Sequence, residues 1–144
     1  MKNFKKVLVY LLLVGSLFTG CVRDSKQMIL ENQQSLKLRS YQIKKYNNNK
    51  KEVSRAIVST LQDLSFIIDK ADMETGTVTA TKLQERASMR MTLITRARKG
   101  FTEVRINAQF RSVNQMPEAV TTPETYKAFF IALDKSLFLE NQGF

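Results

Sequence analysis

The sequence predicts an α+β fold with two layers, an antiparallel sheet of about four to five strands and two helices packed on one of its faces. Three observations carry this. Val53, Ala56, Ile57, Thr60, Leu61 and Leu64 recur at the spacing of one stripe of an amphipathic helix. Residues 88–98 and 101–111 alternate apolar and polar on either side of Lys99-Gly100, the pattern of a long hairpin. Tyr126, Phe129, Phe130, Leu133 and Leu137 form a second helical stripe behind Thr122-Pro123. Each helix then has an apolar stripe to bury, and a sheet is the economical surface on which to bury it.

Taken in order, the chain begins with Lys2, Lys5 and Lys6, followed by an apolar run from Val7 to Phe18 and then Thr19-Gly20-Cys21. A basic start, an apolar run too short to span a bilayer and small residues before a cut describe an export signal over residues 1–20. Residues 21–35 follow as a polar, flexible tether with one apolar patch, Met28-Ile29-Leu30, where a short helix is the alternative. The single domain is expected over 36–144. Its first element is a strand from Leu36 to Tyr46 whose apolar phase changes between Leu38 and Tyr41, suggesting a bulge or an edge. Asn47-Asn48-Asn49 ends it, and Asn49 with Glu52 makes a helix-start pair for the amphipathic segment.

Phe66 to Lys70 reads as a short strand, 72–76 as a turn with Gly76 at positive φ, and Thr77 to Thr81 as the returning strand. Leu83 to Ala87 reads as a polar connection. In the long hairpin, a two-residue turn at Lys99-Gly100 places Arg98 opposite Phe101 and fixes every later pair. One face then carries Thr95–Val104, Leu93–Ile106, Met91–Ala108 and Met89–Phe110. The other carries Arg96–Glu103, Ile94–Arg105, Thr92–Asn107 and Arg90–Gln109. A slip of one residue would scramble this division, so the register supports itself. Residues 112–121 are expected as a loop, and Thr122 with Pro123 opens the last helix.

The chemistry available is narrow. The chain has no His, no Trp and one Cys, which removes imidazole acid–base work and zinc sites built on nitrogen and sulfur. No glycine-rich phosphate loop or nucleophile-elbow pattern is present in the sequence. Asp69, Asp72 and Glu74 gather around the first turn, but their spacing does not match a calcium loop. No catalytic residue, metal or cofactor is expected, and the chain is read as a non-enzyme. A formal net charge of +10 at pH 7, reduced when the three signal lysines leave, suits an anionic neighbour or simply a solvated lysine-rich surface. Ile94, flanked by Arg90, Arg96 and Arg105, is the candidate partner face, since Arg forks onto acidic groups and is enriched at interfaces.

The segment ending in Thr19-Gly20-Cys21 resembles a bacterial lipoprotein signal, with Phe18 where that pattern prefers Leu, Val or Ile. The resemblance implies that Cys21 is acylated and becomes the mature N-terminus, so that the N-terminal acyl chains make the membrane a permanent partner. Val22 after the cysteine favours the outer membrane, periplasmic side. The runs 61–69 (LQDLSFIID), 76–82 (GTVTATK) and 124–130 (ETYKAFF) resemble a family of small bacterial envelope lipoproteins of unassigned activity. The layout is also similar to the helix-grip domains of BamC, an accessory lipoprotein of the outer-membrane β-barrel assembly machine. These motifs are core and turn residues, so they speak to fold.

The expected role is therefore a non-catalytic adaptor or accessory subunit of an envelope complex, with an envelope protein as partner. The alternative is a module binding lipid or a small apolar ligand between helices and sheet, with Met89 and Met91 in the lining. A basic helix–strands–helix layout would also suit a double-stranded RNA binder, but an exported chain is not expected to meet nucleic acid.

Overall fold

The computed structural model describes residues 25–143. Residues 1–20 and Cys21, read above as signal and acylation site, lie outside the described residues. The described elements are α1 (Ser25–Gln42), β1 (Ile43–Tyr46), α2 (Lys50–Asp63), β2 (Ile67–Asp72), β3 (Thr77–Gln84), β4 (Ala87–Arg98), β5 (Phe101–Ser112), β6 (Glu118–Ala119) and α3 (Pro123–Asn141). Contacts divide the chain into two units, 1–35 and 36–144. In the first unit Ser25–Ser35 is helical, Leu30 is exposed, and the Ser35 hydroxyl donates to the Asn32 carbonyl at 2.9 Å. No helix of the described residues is long and apolar enough to cross a membrane.

The second unit is α+β. Its sheet is antiparallel throughout, in the order β1-β5-β4-β3-β2, with β6 also on β5. β1 pairs with residues 102–105 of β5 and β6 with residues 109–110, so the two lie end to end along one margin of the same strand. Six strands exceed the four to five expected, because the segment read as a loop contributes β6.

Register decides where the core sits. All the pairs expected for the long hairpin are present, from Arg98↔Phe101 to Met89↔Phe110. Met91, Leu93, Val104, Ile106 and Ala108 are buried on one face together with Val78 and Ala80 of β3. Val53, Ala56, Ile57 and Leu61 of α2 and Tyr126, Phe129, Phe130, Leu133 and Leu137 of α3 complete the same cluster. Burying an aliphatic or aromatic side chain of this size contributes about 1.5–3 kcal/mol relative to exposure.

The helix ends follow local chemistry. The Asn49 side chain accepts from the Glu52 amide at 3.0 Å and donates to the Glu52 carboxylate, a reciprocal cap. Thr122 and Pro123 start α3 as expected, with the proline at a position whose amide has no helical partner. The C-terminus of α2 is less obvious in the sequence. The Phe66 amide donates to the Leu61 carbonyl at 2.8 Å and the Ser65 amide to that of Gln62 at 2.9 Å, a Schellman motif with Ser65 at φ 64°. Lys82 adds its ammonium to the last carbonyl, that of Leu64, at 3.0 Å.

Gly76 closes the β2–β3 turn at φ 77°. Its carbonyl accepts from the Thr95 amide at 2.7 Å, and an added β-carbon would collide with the Thr95 carbonyl. The Asp72 carboxylate accepts from the amides of Glu74 and Thr75 at 3.0 and 2.9 Å. These bonds hold its carboxyl below the ordinary aspartate range, the Thr75 amide contributing most.

The N-terminal expectations need correction. Residues 25–35, read as a flexible tether, are helical, and Leu36–Gln42 continues α1 where a strand was expected; only Ile43–Tyr46 is β. From Leu30 to Gln42 the chain contains neither Gly, Pro nor a β-branched residue, and Leu, Lys, Gln and Arg favour helix. The change of apolar phase between Leu38 and Tyr41 is helical spacing, and both side chains pack against the core.

Two stability measurements check this account. Leu93→Ala, at a fully buried central position, is expected to cost about 2–5 kcal/mol in urea unfolding. Ser65→Gly is expected to stabilise by about 0.5–1 kcal/mol, because glycine takes the left-handed conformation without the β-carbon clash.

Candidate functional site

The face of the sheet opposite the core carries the candidate residues, and its make-up follows from the same ladders. β4 and β5 contribute Arg90, Thr92, Ile94, Arg96 and Arg98, with Glu103, Arg105, Asn107, Gln109 and Arg111. β3 adds Thr77, Thr79, Thr81 and Leu83, each paired with one of these or with Ser88. Lys45 of β1 joins from the margin opposite Glu103 and lies 4.8 Å from the centre of the Phe101 ring. Alternation sends nearly every apolar residue of the two long strands inward, and the outward positions left to polar residues hold five Arg against one Glu.

The four candidates do not form one ring. Arg105 is directly opposite Ile94, and Arg96 is the next residue of β4 on that face. Ile94 itself is half-buried among them. Arg90 stands four residues away, about 13 Å along an extended strand. It leans toward β2, with Nε 3.4 Å from the Thr81 hydroxyl and 3.9 Å from the Asp69 carboxylate. The Thr81 hydroxyl donates to Asp69 at 2.6 Å. Ile94, Arg96 and Arg105 are thus one spot and Arg90 belongs to another. Arg98 pairs with Glu103 at 3.3 Å, so that acid is already partly engaged.

Sequence reasoning placed Gln109 opposite Arg90 but missed Thr81 and Pro117 beside it. Thr81, Ser88, Arg90, Gln109, Arg111 and Pro117 line a shallow depression of about 80 Å³. Beyond it β3 and β4 run on to a two-residue turn at Glu85-Arg86, where a polar connection was expected. Neither turn residue has positive φ, so the turn needs no Gly or Asn and leaves no such signature. Continuing the alternation of Thr77–Thr81 through Leu83 was the available signal.

The other predicted sites are placed differently. Met91 is buried in the core and Met89 packs against it, so neither lines an open groove between helices and sheet. An apolar groove lies instead at the β1 margin, about 290 Å³, formed by Tyr41, Ile43, Phe130 and Ile131 with Lys44 and Lys127. Asp69 and Asp72 are occupied by Thr81 and by the turn amides, and no metal-holding group of carboxylates occurs among the described residues.

Beside that groove, Asp134 of α3 accepts from the Lys44 ammonium at 2.5 Å and the Tyr46 hydroxyl at 3.0 Å, tying β1 to the helix layer. Tyr126, fully buried, donates its hydroxyl to the Val120 carbonyl at 2.5 Å and accepts from the Gln42 amide at 3.2 Å. What the outer face can do chemically is bind: guanidinium forks, hydroxyls and amides donate toward acidic oxygen.

Comparison with known proteins adds no relative, since neither the protein-family models nor the curated proteins match the chain.

Burial, then the Asp134 charge and hydrogen bond, push the Tyr46 phenol well above its ordinary value of 10.0. Because the folded value is raised, its contribution to stability is present below the ordinary value and lost as pH climbs through and beyond it. In an ultraviolet titration Tyr46 is expected to ionise late, and Asp134→Asn to bring it earlier.

Proposed function

We propose that the chain is a lipid-anchored bacterial envelope protein, acylated on Cys21 and facing the periplasm, with the outer membrane favoured. In this reading it is not an enzyme but an adaptor or accessory subunit that holds an envelope protein partner near the bilayer. The observation that carries the reading is the two-sidedness of the sheet. One face is covered by helices, while the other leaves Arg96 and Arg105 exposed around a half-buried Ile94. An apolar centre with an Arg rim is the composition of a protein contact that recognises acidic groups. The sequence supplies the address through the basic start, the short apolar run and Cys21 after Thr19-Gly20. Its resemblance to small envelope lipoproteins and to the BamC helix-grip layout is a resemblance of fold and is compatible with this role, and an exported chain would have no nucleic acid to bind.

A second reading, a binding module for an apolar ligand, is favoured by the groove of Tyr41, Ile43, Phe130 and Ile131. It predicts a lipid that co-purifies with the protein, and Ile131→Asp would remove it.

The test of the first reading has two parts. Labelled palmitate is expected in the wild-type chain and not in Cys21→Ala. A photo-crosslinker at position 94 is expected to capture an envelope protein in cells, with capture reduced at least about tenfold in the pair Arg96→Glu and Arg105→Glu. Unlabelled wild-type protein would defeat the anchor, and capture unaffected by charge reversal would defeat the partner face.

A further inference from the structure

The depression around Arg90 combines two features that point to one kind of ligand. The first is a concentration of donors. Ser88 is opposite Arg111 and Gln109 opposite Arg90, so the two arginines occupy diagonal positions about 7–8 Å apart on one face. Their side chains are long enough to converge on a single anion between them. Two like charges at this separation repel, and their local compensation is slight. Asp69 approaches Arg90 only at 3.9 Å, while Arg111 forms no ion pair among the described residues. The Ser88 hydroxyl and the Gln109 amide border the same depression, while the Thr81 hydroxyl there already donates to Asp69. A compact oxyanion is the group that satisfies such a set.

The second feature is apolar. At this same end of the sheet Met116 is 83% exposed, Leu83 66%, Val113 61% and Ile67 59%. Leu83 is opposite Ser88 and Ile67 opposite Thr81. Val113 follows β5 and donates its amide to the Arg86 carbonyl, while Met116 precedes Pro117 at the rim. A free anion gives these side chains nothing to bury against. A bilayer surface provides phosphate for the guanidiniums and an acyl boundary for the apolar residues.

We propose that this end of the sheet rests on a bilayer and holds the phosphate of an anionic phospholipid between Arg90 and Arg111, with Leu83 and Met116 entering the acyl boundary. The site is separate from the spot at Ile94, and it does not require Cys21 to be acylated.

The test uses the full chain carrying Cys21→Ser, so that failure of the acylation reading has no bearing on it. An environment-sensitive fluorophore is attached through Met116→Cys, or, at the opposite end of the domain, through Lys51→Cys. Vesicles of phosphatidylcholine alone, or containing phosphatidic acid, are added. The expected result is a blue shift at position 116 with the anionic vesicles only, and none at position 51. Arg90→Gln with Arg111→Gln is expected to weaken that response about 30-fold, whereas Arg96→Gln with Arg105→Gln leaves it within about threefold. The proposal is overturned by no shift at 116, by an equal shift with neutral vesicles, or by indifference to the Arg90 and Arg111 changes. It is also overturned if inorganic phosphate perturbs the Arg90 and Arg111 resonances while vesicles give no shift, which would make the site one for a free anion.

Discussion

The register of β4 against β5 is the constraint from which the rest of the domain follows. With Arg98 opposite Phe101, every second residue of both long strands lies on the helix side, and apart from Ser112 these are Met, Leu, Thr, Val, Ile, Ala and Phe. The alternate positions hold most of the arginines. A shift by one residue would bury guanidinium groups without partners, at a cost far above what the lost apolar contacts alone would impose. Gly100, at φ 86°, lets the reversal occur within two residues and so sets the phase of both strands.

That constraint separates two kinds of surface work. The covered side is filled by side chains from both helices. At its margin the Lys44–Asp134–Tyr46 group fastens a short strand to α3. The bare side is only partly neutralised internally, because its few acids are outnumbered: Glu103 pairs with Arg98, and Asp69 is held by the Thr81 hydroxyl and reaches Arg90 only at 3.9 Å. The surplus of positive charge is distributed in two places, Arg96 and Arg105 toward the Lys99-Gly100 end of the long strands and Arg90 and Arg111 toward the other end. A sheet face of this kind is rigid, so recognition there needs little ordering of the backbone on contact.

Much of this was legible from residue patterns. The long hairpin, α2 with its Asn49 cap, the Gly76 turn and the aromatic stripe of α3 all rest on periodicities that one packing solution satisfies. The misses have physical causes. Leu36–Gln42 is too short and too weakly amphipathic for alternation and helical spacing to be told apart, and helix propensity over Leu30–Gln42 was the better guide. The α2 terminus uses Ser65 in a conformation normally marked by glycine, and the Glu85-Arg86 turn uses residues with no turn signature. β6 has only Glu118 and Ala119, too few residues to show a pattern. At the candidate site, sequence adjacency grouped Arg90 with Ile94, whereas cross-strand pairing gives Arg90 to Thr81, Gln109 and Arg111's neighbourhood.

The break in the β2–β3 ladder at Asp69 has a consequence for life at high concentration. β2 is the far border of the sheet, and an uninterrupted border strand is a template on which a second copy can stack. Between Ile68 and Lys70 the pairing skips a residue, and Asp69, Lys70 and Asp72 crowd charge onto six positions. A strand from another molecule attempting to continue the sheet would lose its hydrogen-bond rhythm midway and meet ionised groups on both sides of the gap. Copies at high concentration are therefore hindered from joining edge to edge along this border.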